Sequence, residues 1–514
     1  MELLQQVENA ASPSSLASLT NLQAVGLAGL RKLSSFPALI TAVLVLLVFC
    51  KCSDGLPDPD LWWHLLNAKH ILTTLTFPNL DNLSFTAAGS SWLDHEWLSE
   101  IVYYTAFAAF GLRGVFVLFA SLLGILFAAV FSITLRECGD PINAAITTAM
   151  GGLLAAVGFG PRTQTFGWLC FVAIYAILRR FVSGNEKGIW LIPLLFALWI
   201  NCHGSWLIGL IIYGIFIAAG LVRLNLSRLV SVRWTPAQLK KLLLAGAVSV
   251  AALFINPFGY RLLWYPFDMM FRQSLNIANV EEWASVNFND FRGKLVGFVL
   301  CSVFVAAMVG RKRWRLQDAL LTAFVLYCGL THLRFLLLAG IVLPPILALQ
   351  LGALRQDPLR QEHRLVNSAL LLLIIAVCLF RLPSQRTLNE QVSDHFPQRA
   401  IDYLRAHQQP GRIFNFYEWG GYLELQLPNV KTFIDSRTDI FEYKGVLKSY
   451  LDIIRIQGSQ HVLDRYGVSY ILYPPQSSLS YFLSTQSGWQ RIYEDKQAVL
   501  YRKVRGRDSC TPAP

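Results

Sequence analysis

DGLPDPDLWWHLLNAKH (Asp54–His70) and SSWLDHEWLSE (Ser90–Glu100) open and close one polar stretch of the chain. Apolar runs flank it: FPALITAVLVLLVFCKC ends just before it, and VFVLFASLLGILFAAVFSITL follows shortly after. Lipid does not tolerate carboxylates at this density. Asp54, Asp58, Asp60, Asp94 and Glu96 are therefore expected in water at a membrane face, with Trp62, Trp63, Trp92 and Trp97 at headgroup level. If the chain is helical from Pro59 onward, Asp60, His64 and Asn67 fall at i, i+4 and i+7 and share one side.

Composition supports a membrane reading. Of 514 residues 54% are hydrophobic and only 15% charged, and the mean hydropathy is +0.44. These values belong to polytopic membrane proteins. The net charge of +12 sits in short basic clusters between apolar runs. That spacing follows the positive-inside bias and argues against a nucleic-acid partner. Of nine cysteines, Cys170, Cys301, Cys328 and Cys378 lie within apolar runs as packing residues, and only Cys50 and Cys52 form a close pair. The first 33 residues lack an early apolar core, so the first span is expected to direct insertion itself.

Residues 1–34 read as a cytosolic leader and the first span as about 35–51. WLSEIVYYTAFAAFG is short against the roughly 20 residues a span needs, so it is taken as interfacial, within an outer loop 52–114. Later spans then fall near 115–135, 141–159, 165–180, 188–201, 205–223, 241–256, 294–310, 316–331, 334–353 and 365–381. This parity puts Arg179 and Arg180, Arg223–Lys241, Arg311–Arg315 and Arg355–Arg364 in the cytosol. The expected fold is thus polytopic and α-helical, with about eleven transmembrane helices over 35–381. From 382 to 514 the composition becomes that of a soluble α/β domain on the outer side, with a mixed sheet whose last two strands, WQRIYED and AVLYRKV, form a hairpin. EWGGYLELQL reads there as an extended segment with a glycine turn.

Several outer connections carry groups that are costly at membrane depth. Asp60 in DPDLWWH is placed to act as a general base toward a hydroxyl; a helix-starting role accounts equally well for Asp58. His95 and Glu96 in DHEW would hold an acceptor, share a proton with Asp60, or join Asp58, Asp60 and His64 around magnesium or manganese. Arg162 with Gln164, Asn201 with His203, and His332 with Arg334 suit a phosphate or pyrophosphate, and helix-end snorkelling and interhelical bonding are the plainer alternative. The loop 257–293, with Glu281, Glu282 and Trp283, is a candidate lid. In YEWGGYL and FIDSRTD, Gly420 and Gly421 bring backbone close to a neighbour, and Asp435 with Arg437 reads as a structural ion pair.

An early span, an acidic outer loop, a second motif, many spans and a C-terminal outer domain together resemble the GT-C superfamily of integral-membrane glycosyltransferases. That group includes protein O-mannosyltransferases, lipid A aminoarabinose transferases and oligosaccharyltransferases. DPDLWWHL, FPNLDNLSF and DHEW follow the order of that family's first-loop pattern, in which an acid soon after the first span is the proposed base. DHEW lacks the proline pair of mannosyl-type members, and YEWGGYL is only loosely similar to the oligosaccharyltransferase WWDYG signature. The resemblance implies a sugar donor on a polyprenyl phosphate or diphosphate, transfer at the outer face with inversion, and Asp60 as base. It also implies Arg162, Arg334 and His203 at the departing phosphate, and an acceptor that is a glycan, a protein or a lipid; His64, on the Asp60 face, is a further candidate for substrate binding. The location implied is a bacterial plasma membrane, with the N-terminus cytosolic. Two other classes remain open at this stage: a glycan polymerase or ligase of another fold, which would depend on outer-loop arginines, and a transporter or assembly subunit, for which no internal repeat is visible.

Overall fold

A computed structural model describes residues 32–53, 56–310, 312–352, 363–407 and 411–504. Asp54, most of the expected leader and most of the Arg355–Arg364 cluster lie outside these residues.

Helix starts and stops follow local chemistry. α1 (Phe36–Cys52) begins where the Ser35 side chain accepts from the Ala38 amide. α2 (Asp60–Thr74) begins as the Asp58 carboxylate takes the Asp60 amide at 3.0 Å, and it ends at Leu75 in the left-handed region. α3 (Trp97–Cys138) is broken at Gly111, φ 61°. Its first arm, Trp97–Phe110, rises only about 21 Å at about 1.5 Å per residue, less than a bilayer core. There follow α4 (Pro141–Ala155), α5 (Gln164–Val182), α6 (Ile192–Cys202), α7 (Trp206–Leu221), α8 (Pro236–Ala252), α9 (Tyr260–Arg272), α10 (Ser274–Asn279), α11 (Phe291–Val309), α12 (Leu316–Thr331), α13 (Leu336–Leu351), α14 (Arg364–Phe380), α15 (Gln385–Ser393) and α16 (Gln398–His407). Two short strands, β1 (Leu229–Val230) and β2 (Trp314–Arg315), pair in parallel at one end of the bundle.

Five described helices are long and apolar enough to cross a membrane, and the pair α14 and α15, bent by 55°, makes a sixth if it is one span. Other spans expected from the sequence fall on shorter helices. α13 is the centre of the bundle, buried from Leu336 to Gln350. It meets α4 backbone to backbone: a Cβ on Gly340 would stand 2.3 Å from the Gly151 carbonyl oxygen, and one on Gly151 equally near Gly340. Helices this close need a residue without a side chain. Gly340→Val is expected to cost about 3 kcal/mol by forcing α4 and α13 apart. Thermal unfolding in detergent checks this, and an unchanged midpoint would show that the two helices do not pack there.

Arg179, at the end of α5, is buried and paired with Glu137 at 2.8 Å and Asp318 at 2.5 Å, with Arg315 at 3.4 Å from Glu137. A cation there closes α3, α5 and α12 together at the end of the bundle opposite Arg162.

The C-terminal part is built on β3 (Arg412–Asn415), α17 (Gly420–Gln426), α18 (Thr438–Tyr443), α19 (Val446–Ile454), α20 (Ser459–Arg465), β4 (Val468–Tyr473), α21 (Ser478–Ser484), β5 (Trp489–Glu494) and β6 (Val499–Lys503). The sheet order is β3-β4-β6-β5, with β3 parallel to β4 and the rest antiparallel. EWGGYLELQL is helical, not extended, because its glycines serve close packing. A Cβ on Gly420 would lie 2.4 Å from the Ile434 carbonyl oxygen, and one on Gly421 3.1 Å from the Trp63 amide. The polar stretch of the first loop is woven into this part. Phe85 N–H donates to the Thr432 carbonyl at 3.0 Å, and buried Arg437 bridges Asp435 at 2.6 Å and Asp81 at 2.8 Å. Trp62, Trp63 and Trp92 are accordingly buried in the protein's cores, not set among headgroups, and Trp97 donates Nε1–H to Asn201 Oδ1 at 3.0 Å.

Candidate functional site

The first-loop acids lie beneath protein, not in open water: Asp58, Asp94 and Glu96 are 4%, 1% and 7% exposed. Burial is tolerable because each has partners brought from far along the chain. Arg162, just before α5, donates Nε–H to Asp58 Oδ2 at 2.7 Å and pairs also with Glu282 from the long loop. Tyr103 on α3 steadies that arginine through its backbone, its hydroxyl donating to the Arg162 carbonyl at 3.2 Å. Asp58 thus holds the start of α2 and a cation together. Asp60, the first residue of α2, is half-buried. Its Oδ1 accepts from Trp63 Nε1–H at 3.2 Å, and the same indole also donates to Ser436 of the C-terminal part at 3.1 Å.

Glu96 is the centre of a second cluster. Its carboxylate lies 3.2 Å from His203 Nε2, 3.5 Å from His95 Nε2 and 3.6 Å from His64 Nε2. The far nitrogen of two of these rings is fixed: His64 Nδ1 by Glu100 at 2.7 Å, and His203 Nδ1 by Ser205 Oγ at 2.8 Å. Burial pushes the Glu96 carboxyl up to about 8, Asp60 and Asp58 push the same way, and Arg334 opposes them. Burial lowers His64 to about 3, with Asp58 opposing, and lowers His95 to about 4, against the pull of Asp439 and Asp60. Burial also takes His203 well below its ordinary value. Burial thus disfavours the charged form of every group in the cluster. Burial likewise raises Asp94, which accepts from Asn67 Nδ2–H at 3.3 Å.

The same electrostatic need can be met by a cation. His64, Glu96 and Glu100 offer ligand atoms all within 4.8 Å of one another, and Glu100 Oε2 is buried with no partner among the described residues. Two carboxylates with imidazoles beside them fit a divalent metal, manganese or zinc more readily than magnesium. Asp58 and Asp60, expected from the sequence to share that ion, are absent from the compact group. Asp58 is already engaged by Arg162.

Arg334 lies close enough to Arg162, Glu96 and Asp60 to feel their charges. Its guanidinium stands 4.4 Å over the Trp283 ring, and among the described residues no carboxylate lies within ion-pair distance of it. His332 fixes that corner by pairing Nδ1 with the Trp283 carbonyl at 2.8 Å.

The structure therefore brings Asp58, Asp60, His64, His95, Glu96, Arg162, His203, Glu282 and Arg334 to one end of the bundle. His332 supports them through Trp283. Gln164 is buried in the first turn of α5. Asn201 is saturated by the fold: it donates to the Ala197 and Ile255 carbonyls at 2.7 Å each and accepts from Trp97, as the helix-bonding alternative described. Sequence reasoning missed Glu100, which opens an apolar run. It also missed Tyr265, whose ring stacks on His95 at 4.1 Å, and Tyr417, which burial raises and which feels Glu418, Asp60 and Asp58.

No known family model matches the chain, and none of the curated proteins matches it in sequence. Solved structures do match its fold. The chain aligns with ArnT from Cupriavidus metallidurans in the apo state at TM-score 0.52 and 12% identity, over 91% of this chain and 97% of that one. With the same protein bound to undecaprenyl phosphate the values are 0.51 and 12%, over 91% and 98%. The Archaeoglobus fulgidus oligosaccharyltransferase, tethered with an acceptor peptide containing the NVT sequon, aligns at TM-score 0.51 and 12% identity, over 90% of this chain and 74% of that one. The chain shares the fold of these solved transferases, and five of its described helices are long and apolar enough to cross a membrane.

Proposed function

We propose, from that fold and from the closeness of Asp60 to Arg334, that the chain is a glycosyltransferase. It would move a sugar from a polyprenyl-phosphate-linked donor to an acceptor hydroxyl at the outer face of the membrane. The ArnT structure with undecaprenyl phosphate supports a lipid-linked donor. In this reading residues 382–514 lie outside the membrane and cover the site. The acceptor oxygen attacks the anomeric carbon in line, its proton passes to Asp60, the C1–O bond to phosphate breaks, and the phosphate leaves with the electron pair. One displacement gives inversion.

The observation that carries this is the division of labour among the charges. Asp58 and Arg162 neutralise each other, while Asp60 has an oxygen to spare and Arg334 no carboxylate partner among the described residues. One base and one cation near each other are thus left uncommitted, as removing a proton from a hydroxyl and stabilising a departing phosphate require. A divalent cation, where bound, would be held by His64, Glu96 and Glu100 and would neutralise phosphate charge.

Mass spectrometry of lipid extracted from the purified protein tests the reading. A polyprenyl phosphate or its glycosylated form is expected at near-stoichiometric amount; repeated purifications carrying only bulk phospholipid would count against a lipid-linked donor.

A further inference from the structure

A cavity of about 430 Å³ opens beside the cluster, between residues 91–93, α9 and α18. We propose that it is the acceptor site and that it takes a saccharide. The inference rests on the glycosyltransferase reading and names the acceptor class for that same site.

Its lining combines aromatic faces with paired hydrogen-bonding groups. Trp92, Trp264 and Tyr265 provide rings, and Asp268, Asp439 and Gln273 lie among them. An aromatic face carries negative charge density that attracts the C–H bonds of a sugar ring, while carboxylates and amides bond vicinal hydroxyls. Gln273 is 1% exposed and gives its Nε2–H to the Asp439 carbonyl at 3.2 Å. Its Oε1 is buried with no partner among the described residues. Arg261 and Arg272 stand at the rim, bonded to Ser91 Oγ at 3.0 Å and Asp268 at 3.6 Å, so cations and carboxylates are mixed, as suits a neutral ligand.

The cavity is rigidly built. Glu442 accepts from the Leu275 and Asn276 amides at 2.9 and 2.7 Å, pinning the end of α9 and the start of α10 to the C-terminal part. It also leads to the reacting groups. Tyr265 forms its inner wall and stacks on His95, which lies against Glu96. Tyr265 and His95 thus connect the cavity wall to the Glu96 cluster. A peptide acceptor would call for a free strand edge or an extended groove, whereas the described lining is mainly side chains of two helices. The volume suits a short oligosaccharide.

Saturation-transfer NMR on the full chain in nanodiscs tests this, with maltotriose, chitotriose and a serine-containing heptapeptide as separate probes. Saturation of the ring protons of at least one saccharide is expected, reduced at least fivefold by Trp264→Ala and by Asp439→Asn, with none on the peptide. Trp264 is 63% exposed, so its removal leaves folding intact. In turnover with the saccharide that binds, Trp264→Ala should raise the acceptor KM at least tenfold and change kcat less than threefold. No saturation of either saccharide, equal saturation in wild type and variants, or saturation of the peptide alone overturns the proposal. If the protein carries its polyprenyl lipid while these signals are absent, only the cavity assignment fails. If the lipid is absent while the variants abolish saccharide binding, the glycosyltransferase reading fails and the saccharide site stands.

Discussion

Asp60→Asn is expected to fold as the wild type does and to lose at least about a thousandfold in sugar transfer from membrane lipid donors, within the range of about 10² to 10⁴ that a positioned general base contributes. The substitution keeps shape and keeps an oxygen for Trp63 Nε1–H, now accepted at 3.2 Å, so α2 retains its start. What it removes is the capacity to take a proton. Asp58→Asn is the comparison that gives the result meaning. Asp58 is paired with Arg162 at 2.7 Å and receives the Asp60 amide, so its loss disturbs position and charge balance without removing the base. Turnover should fall by about tenfold there, together with some stability. Transfer at an unchanged rate in Asp60→Asn would remove the base assignment. It would favour an assembly subunit, or, if transfer then depended on Arg162 and Arg334, a polymerase that works through arginines alone.

The helices were legible in the sequence because what fixes them is local. The run expected over 316–331 is α12, Leu316–Thr331, and the one expected over 205–223 is α7, Trp206–Leu221; apolar length and end chemistry are both written within a few residues. The acids of the first loop were legible as a cluster but not as buried groups. Whether a carboxylate can leave water depends on what meets it, and here Arg162 and His203 come from far along the chain. Asn201 shows the opposite error. Its amide at a helix end looked available to a ligand, yet the Ala197 and Ile255 carbonyls and the Trp97 indole use it up. The helix at Gly420–Gln426 was hidden because paired glycines ordinarily signal a turn. What they serve is contact with Trp63 and Ile434, which no local pattern reports.

Arg334→Ala should lower kcat by about 10² to 10³, the loss seen when one donor aimed at developing charge is removed. The donor's phosphate is already anionic when bound, but breaking the C1–O bond adds charge to the departing oxygen, so the arginine matters more as the bond breaks than before. The KM for donor should accordingly rise less than kcat falls. Arg334→Lys separates charge from shape: a lysine keeps the positive charge and can still lie over the Trp283 ring, now 4.4 Å from the guanidinium, but loses the planar fork. Activity between that of alanine and wild type is expected. Arg162→Ala should behave differently, since it strands Asp58 and Glu282 as unpaired acids and costs folding before it costs chemistry. Stability measured alongside turnover distinguishes the two arginines. If Arg334→Ala keeps kcat within threefold of wild type while a stably folded Arg162 variant is inactive, the leaving group lies at Arg162, and the pairing of Asp58 with that residue must break when donor binds.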